Sequence, residues 1–453
     1  MPNALDHLRA VIFSEYRKTT KGSADLFARA QAVLPGGVSG NLRFFAPYPL
    51  YMSGGQGSRT TDVDGNSYID CFSCNGPLML GHRPPSVEKA IDQSRTVGSL
   101  VLNPKLMIEC AELLRDTVPC AQSVRFLNSG TEAVLSAVRC ARAFTKRDKI
   151  IKFFGHYHGQ ADPMLFGLVT DRTALGDGVP ASSASDVLIL PFNDSAAFLE
   201  LVDARDDIAA VLLDPAMHSG GLWGADPQFL QTVRDKTLEK QIVLIFDEVI
   251  TGFRLGLKGA QGYFGVTPDM ATFAKALAAG EKLGAVVGRS DILAVTDPLA
   301  AAGTPRAFQS GTGNDGTAAL AAAVAAMQEY HRLDKQGEYE KLAQESSLLE
   351  QRLRGAFKGH SIPLHVNRLG SMMQLFVSDE QAEFSRYAQL PTDLVELFYL
   401  ALITRGVMLS LPTSNHIYMS FAHSSKDFSD VASAAEDVLS AFPFAEAYQE
   451  QAK

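Results

Sequence analysis

The sequence lacks the features that mark several large classes of protein. It has no long apolar run, because its richest apolar windows, such as residues 242–246, are short and end at charged residues. A membrane-spanning helix needs about 20 consecutive apolar residues, so these windows predict buried strands instead. Positive charge is not in excess either, since the net charge is −9, which argues against nucleic acid as a partner. The N-terminus carries early acids and no apolar stretch, so we expect no secretory signal and a cytoplasmic protein.

Cysteine is also scarce. The five cysteines are odd in number in a long chain, which argues against a disulfide framework. Cys71 and Cys74 have the spacing of a redox or zinc pair, but no second pair follows at the spacing of a metal site. We therefore favour structural thiols and expect no bound metal.

Short apolar runs alternate with helical patterns between about residues 105 and 300. The runs are 124–127, 150–154, 187–190, 210–213, 242–246 and 285–287. Such alternation predicts an α/β fold with a mostly parallel sheet covered by helices on both faces. A helix-prone, alanine-rich segment follows at 318–331, and the rest of the chain mixes helical and strand-like patterns. We expect an N-terminal arm with part of a small domain over 1–60, a large domain over 61–320 and a C-terminal small domain over 321–453.

Three groups of residues in this region carry candidate chemistry. The strand that ends at Asn128 is followed by Ser129, Gly130 and Thr131 and then by a helix over about 132–144. The N–H groups at such a helix start bind phosphate well, although a Ser or Thr there is also a common N-cap.

The other two groups are a strand-end acid and a lysine among small residues. Asp247 ends an apolar strand, at the edge where open α/β sheets place their ligands, although it would also serve to cap a loop or pair with Arg254. Lys275 lies among apolar residues, where desolvation lowers the pKa of an amine and makes it nucleophilic, although most lysines are solvated surface residues. A phosphate pocket, a buried carboxylate and a desolvated lysine on one sheet edge are what pyridoxal 5'-phosphate requires.

Four motifs make the sequence recognisable. They are 128–133 (Asn-Ser-Gly-Thr-Glu-Ala), 155–159 (Gly-His-Tyr-His-Gly), 247–254 (Asp-Glu-Val-Ile-Thr-Gly-Phe-Arg) and Lys275. In this order, and over about 30–435, the chain resembles class-III pyridoxal-phosphate-dependent aminotransferases. It is most similar to their subgroup of glutamate-1-semialdehyde 2,1-aminomutases and β-amino acid transaminases. The resemblance implies fold type I of the pyridoxal-phosphate transferases, with a seven-stranded sheet in the large domain, a smaller α+β domain and an active site at a homodimer interface.

The resemblance also implies a role for each matching residue. Lys275 would carry the cofactor as a Schiff base, Asp247 would keep its ring nitrogen protonated, and Tyr157 would stack on the ring. The other residues that would bind the cofactor are Ser129, Gly130, Thr131, Val249 and, from a second subunit, Thr312. His156 and His158 resemble a metal pair, but nothing nearby completes a metal site.

The substrate-binding positions depart from the aminomutase pattern. Arg43 matches the arginine that binds the substrate carboxylate, and its planar guanidinium suits a bidentate grip. Asn75 replaces an aromatic residue, and Asn415 replaces an acid that pairs with that arginine. These changes leave Arg43 available for a carboxylate and make the pocket wider or more polar.

Several hypotheses remain open on the sequence. The first is an aminotransferase that moves an amino group between a carboxylate-bearing amine, of β- or ω-type, and a keto acid. The second is an aminomutase that returns the amine to a neighbouring carbon of the same molecule. Racemisation uses the same residues, and a non-catalytic binding protein on this fold would be expected to have lost Lys275, Asp247, Tyr157 or Thr131, all of which are present.

Overall fold

A computed structural model describes residues 3–168, 174–378 and 391–451. The chain divides into two compact units, a central unit over Pro85–Gly337 and a terminal unit made of Met1–Pro84 with Glu338–Lys453. The strands are β1 Met52–Gln56, β2 Arg59–Asp62, β3 Ser67–Asp70, β4 Ser123–Leu127, β5 Lys149–Phe153, β6 Val187–Leu190, β7 Ile208–Leu213, β8 Val243–Asp247, β9 Met270–Phe273, β10 Gly284–Gly288, β11 His365–Leu369, β12 Met372–Phe376, β13 Val407–Met408 and β14 Ile417–Tyr418. The α-helices are α1 Ala4–Thr19, α2 Lys21–Gln31, α3 Pro85–Ser94, α4 Lys105–Thr117, α5 Gly130–Thr145, α6 Ser195–Asp203, α7 Pro227–Glu239, α8 Gly259–Phe264, α9 Ser290–Leu293, α10 Thr317–Lys335, α11 Glu338–Gly359, α12 Asp393–Ile403, α13 Ser425–Ala441 and α14 Phe444–Gln451.

The central unit is built on the sheet that the sequence predicts. Seven strands lie in the order β4-β10-β9-β8-β7-β5-β6. Neighbouring strands are parallel except β10, which runs antiparallel to both β4 and β9. The mostly parallel sheet is thus confirmed, with β9 as a strand that was absent from the predicted runs.

Burial explains why the apolar runs become strands. Every residue of β7 and of β8 is buried, which is typical of parallel strands covered by helices on both faces. Helix α5 packs on the sheet through small side chains, including Ala133, Ala137 and Ala141, which are completely buried. Small residues let the helix approach the sheet closely, so its N-terminus is held directly at the end of β4.

Because β4, β5, β7, β8 and β9 all run in the same direction, their carboxyl ends meet at one edge of the sheet. The loops that leave this edge carry Ser129 after β4, Tyr157 after β5 and Lys275 after β9, while Asp247 is the last residue of β8. The fold therefore assembles the predicted cofactor residues of the central unit at a single edge.

The terminal unit contains two smaller sheets, in the orders β1-β2-β3-β13 and β11-β12-β14. Strand β13 pairs in parallel with β3, which joins the C-terminal part of the chain to residues 59–70. The compact units therefore change at Pro84 and Gly337, later in the chain than the expected divisions at residues 60 and 320. Helix α10 stays in the central unit because it packs along α3 and α4.

Two further findings concern sequence features. All five cysteine thiols are free; Cys74 is exposed and the other four are buried. Among the residues that the structure describes, no helix is both long and apolar enough to cross a bilayer.

Candidate active site

Lys275 begins a short 3-10 turn directly after β9, and its backbone has a φ of 47°. This left-handed conformation is uncommon for a residue with a side chain and is typical of functional sites that are held in place by their surroundings. Burial lowers the pKa of Lys275 to about 8, although the negative charge of Asp247 acts in the opposite direction. Within residues 3–168, 174–378 and 391–451, no group forms a hydrogen bond or ion pair with its amine. The amine is therefore desolvated, as expected from the sequence, and its catalytic role stays a prediction.

Asp247 is 6% exposed and accepts hydrogen bonds from three donors. The backbone N–H of Val249 and the hydroxyl of Thr272 donate to Oδ1, at 3.1 and 3.2 Å. The Nδ1–H of His158 donates to Oδ2 at 2.7 Å. Three donors aimed at one carboxylate fix its orientation at the strand end.

His158 was not assigned a role from the sequence. It follows β5, and its loop reaches across β7 to Asp247 at the end of β8. Burial lowers the pKa of His158, while its hydrogen bond to Asp247 raises it. The sequence signal that would have identified this residue is its place in the Gly-His-Tyr-His-Gly motif at 155–159. This motif begins two residues after the buried strand β5 ends.

The N-terminus of α5 is kept clear of side chains. Ser129 caps the helix through the Glu132 N–H at 3.2 Å, and the N–H groups of Gly130 and Thr131 have no partner among the described residues. A Cβ at Gly130 would lie 3.0 Å from both methyl groups of Val249, and one at Gly159 would lie 2.6 Å from the Thr131 hydroxyl. Two glycines thus preserve an open, positively polarised helix end that fits a phosphate group.

Tyr157 lies in the loop after β5 and Val249 in the loop after β8, and both are near Asp247. The side chain of Tyr157 is 46% exposed, and the pKa of its hydroxyl is raised by burial and by the charge of Asp247. Val249 is half-buried, with its backbone bound to Asp247 and its methyl groups facing Gly130. A ring placed between an aromatic face and an aliphatic side chain is compatible with this arrangement.

Thr312 is exposed in the loop before α10. This loop is attached to the end of β4 of the same chain, because the amide of Asn128 donates to Asn314 Oδ1 at 2.9 Å. That Thr312 contributes to the phosphate pocket of a second subunit stays a prediction.

Two other acids near Asp247, Asp214 and Glu248, are buried and have raised pKa values. Burial, with the nearby charge of Asp247, raises the pKa of Asp214 to about 7. Burial also raises the pKa of Glu248 to about 7, and its carboxylate binds the backbone N–H groups of Ala260 and Gln261. Glu248 therefore holds the turn that follows β8 rather than facing a ligand.

The three predicted substrate residues lie in the terminal unit. Arg43 is exposed at the end of a 3-10 turn, and no acidic side chain of the described ranges pairs with it. Asn75 has a φ of 70° and accepts a hydrogen bond from the Tyr418 hydroxyl at 3.3 Å. Asn415 accepts from the Tyr399 hydroxyl, and its amide donates to the Leu375 carbonyl at 2.9 Å. Their roles toward a substrate stay predictions.

The site and the sheet order define a class of protein, and the chain belongs to it: the class-III aminotransferases, whose family model matches residues 45–431. Over 423 residues it is 39% identical to the glutamate-1-semialdehyde 2,1-aminomutase of Methanothermobacter thermautotrophicus, which covers 92% of this chain and 99% of that protein.

Solved structures agree with this assignment. An omega-transaminase from Sphaerobacter thermophilus matches with a TM-score of 0.86 and 33% identity, over 92% of this chain and 97% of its own. A transaminase with PLP bound matches with a TM-score of 0.85 and 30% identity, over 96% and 99% of the two chains. The fold is fold type I of the pyridoxal-phosphate enzymes and the cofactor is pyridoxal phosphate, as the sequence predicts. The open helix end, the hydrogen-bonded acid and the buried amine of the central unit fit that cofactor.

Proposed function

We propose that this protein is an aminotransferase that moves an amino group between a carboxylate-bearing amine, of β- or ω-type, and a keto acid. The observation that carries the proposal is the state of Arg43, an exposed guanidinium with no acidic partner among the described residues. Asn415 cannot neutralise it, because its uncharged amide is bound to the Leu375 carbonyl. Arg43 therefore remains available to bind the carboxylate of an incoming substrate.

The candidate site residues of the central unit would each have a role in this reaction. Pyridoxal phosphate supplies an electron-accepting ring that stabilises the charge left when a substrate C–H bond breaks. Asp247, held by three hydrogen-bond donors, would keep a proton on the ring nitrogen. Lys275 would hold the cofactor at rest, and its amine, whose pKa burial lowers to about 8, would accept the proton lost from the substrate and return it. The open start of α5 binds the phosphate through Gly130 and Thr131.

An aminomutase is the second candidate. It is favoured by the identity of 39% to a glutamate-1-semialdehyde 2,1-aminomutase over nearly the full length of both chains. The same Lys275 and Asp247 would serve, since the two reactions differ in where the amine is returned. Asn75 and Asn415 are the positions that weigh against it, because the aminomutase pattern has an aromatic residue and an acid there.

Product analysis with an amine alone separates the two candidates. β- and ω-amino acids, α-amino acids and plain amines are each mixed with the purified protein, and the keto or aldehyde product is counted per active site. The aminotransferase proposal predicts one product molecule per site without an acceptor and continued turnover once a keto acid is added. Complete turnover of glutamate-1-semialdehyde with no acceptor, and no keto product from any other amine, would contradict it and support the aminomutase.

We also propose that the active form is a homodimer in which Thr312 of one subunit contacts the cofactor phosphate of the other. Large apolar side chains of the central unit are exposed in a single chain, among them Leu102, Leu299 and Phe308, each at least 80% exposed. Such side chains favour burial against a second subunit. Sedimentation should show a dimer, and a monomer that binds pyridoxal phosphate with full affinity would rule out the role of Thr312.

A further inference from the structure

Two buried histidines near Asp247, His156 and His158, each have one ring nitrogen without a hydrogen-bond partner among the described residues. His156 and His158 are 0% and 1% exposed, and the Nε2 atom of each has no partner among the described residues. Buried imidazole nitrogens of this kind are rare, because an unsatisfied polar atom costs about 1–3 kcal/mol. Two such atoms on neighbouring rings indicate that something polar lies between them.

The direction of each hydrogen bond follows from one backbone amide. The N–H of Asp214 points at Nδ1 of His156 at 3.2 Å, and a backbone N–H can only donate. Nδ1 of His156 is therefore bare, and a neutral ring must carry its proton on Nε2. At the other end, the carboxylate of Asp247 can only accept, so His158 carries a proton on Nδ1, and the Nε2 atom of the neutral ring is then bare.

The distance between the rings fits one bridging molecule. Their centroids lie 5.8 Å apart, and the two Nε2 atoms are not within hydrogen-bond reach of each other. Two nitrogens on rings at this spacing can be joined by one water that forms a hydrogen bond of about 2.9 Å to each of them. It would accept from Nε2–H of His156 and donate to Nε2 of His158, which are the two polar partners that a buried water needs.

We propose that a buried water joins Nε2 of His156 to Nε2 of His158. The resulting chain of hydrogen bonds begins at the Asp214 amide and ends at the Asp247 carboxylate. It fixes the single proton of His158 on Nδ1. His156 is then a positioning residue that acts on Asp247 through His158. Since a neutral His158 leaves the charge of Asp247 in place, the chain preserves the acid that the cofactor nitrogen needs. The inference rests on the proposed role of Asp247 and not on which amine the protein accepts.

The surroundings of His158 also disfavour a second proton. The side chain of Lys152 is buried in β5, where it donates to two backbone carbonyls, and its charge lowers the pKa of both histidines. Asp247 is the group that acts in the opposite direction. Besides the two histidines, the described titratable groups that lie near this chain of hydrogen bonds include Lys152, Tyr157, Asp214, Asp247 and Lys275.

The direct test is ¹⁵N NMR of histidine-labelled protein, with the cofactor bound and after its removal, using single histidine variants for assignment. The expected result is a His158 signal with Nδ1 protonated and Nε2 bare, unchanged between pH 5.5 and 8.5 (a range set by ordinary histidine titration, about 6.5). A His158 that carries protons on both nitrogens, or only on Nε2, overturns the proposal. This measurement uses the unaltered protein, so it does not depend on the folding of a variant or on the assignment of the substrate.

Variants at His156 test its part in the chain. His156→Phe keeps an aromatic ring against Phe192, 4.7 Å away between centroids, but removes both nitrogens. We expect the proton affinity of His158 to rise at least about tenfold, which moves its titration by about one pH unit, and the pH dependence of the bound cofactor's absorbance to move with it. His156→Gln, which retains an N–H donor, should restore most of the original behaviour.

Phe192→Leu is the matched control, because it alters the packing around His156 without removing a nitrogen, and it should leave the protonation of His158 unchanged. An unchanged His158 in His156→Phe, or an equal shift in Phe192→Leu, contradicts the positioning role. A high-resolution crystal structure with no density between the two rings contradicts the water itself.

Discussion

Nδ1 of His158 lies 2.7 Å from Oδ2 of Asp247, and both side chains are almost completely buried. A short bond from an imidazole to a carboxylate, in a buried site, fixes the orientation of both groups. The pair joins the loop after β5 to the end of β8, across the intervening strand β7. It therefore anchors the acid on which the proposed chemistry depends.

Replacing Asp247 with Asn should lower kcat at least about 100-fold, the scale on which preorganised charges contribute to catalysis. The amide cannot hold a positive ring nitrogen, and it has an N–H where His158 and Val249 already donate. Steady-state kinetics at saturating amine measures the loss. Asp291→Asn is the control, since that acid pairs with Arg289 at the surface and should leave kcat unchanged. Near-normal kcat in Asp247→Asn would exclude the role given to this acid.

Gly130→Ala should weaken cofactor binding at least about tenfold, equivalent to about 1.4 kcal/mol. The new methyl group would lie 3.0 Å from Val249, which must move, and it would narrow the phosphate pocket at the start of α5. Titration of the cofactor-free protein with pyridoxal phosphate gives the dissociation constant. Gly355→Ala, in open space inside α11, is the matched control and should raise stability by about 0.5–1 kcal/mol without affecting binding. Equal affinities for both variants would contradict this account of the pocket.

Arg43→Met should raise KM for carboxylate-bearing amines about 10- to 100-fold, because it removes a charge-assisted, bidentate contact. Plain amines without a carboxylate provide the internal control, and their KM should not rise. Arg43→Lys should recover part of the loss, since an ammonium retains the charge but not the planar geometry. A similar rise of KM for both kinds of amine would indicate a structural role for Arg43.

The rate of cofactor capture should depend on the pKa of Lys275. Burial lowers this pKa to about 8, so the neutral, nucleophilic amine is the minor form below pH 8 and the major form above it. The rate at which cofactor-free protein binds pyridoxal phosphate covalently should thus rise about tenfold per pH unit below 8 and then level off. Stopped-flow absorbance measures it. A rate that continues to rise to pH 10 would indicate an ordinary, solvated lysine.

Much of the central unit could be predicted because, in a parallel sheet, the residues that follow each strand lie at the same edge. Buried apolar runs gave the strands, and residues directly after them had to meet at one edge. This places Gly130 and Asp247 at one edge, whereas Lys275 is predicted from its apolar surroundings and from the order of the motifs. Strand β9, Met270–Phe273, is not predicted because its sequence, Met-Ala-Thr-Phe, contains a small and a polar residue and does not form an apolar run.

Side-chain directions in loops were beyond such reasoning. The partnership of His158 with Asp247 depends on a loop that crosses a neighbouring strand, and sequence spacing does not encode that crossing. The amide of Asn415 donates to the Leu375 carbonyl of β12, a contact between distant parts of the sequence, and its predicted role toward a substrate stays a prediction. The boundaries of the units likewise depend on the pairing of β13 with β3, a contact between distant parts of the chain.

Borohydride reduction of the protein with its cofactor, followed by peptide mapping, tests the central claim most directly. Lys152 is the natural competitor, because it is also buried and has a pKa lowered to about 7 by burial. Its amine, however, is already held by the carbonyls of Met164 and Phe166, at 2.8 and 2.7 Å. The account predicts that the reduced cofactor is attached to Lys275 and that Lys275→Ala abolishes the label. A label on Lys152 or on any other lysine would contradict it.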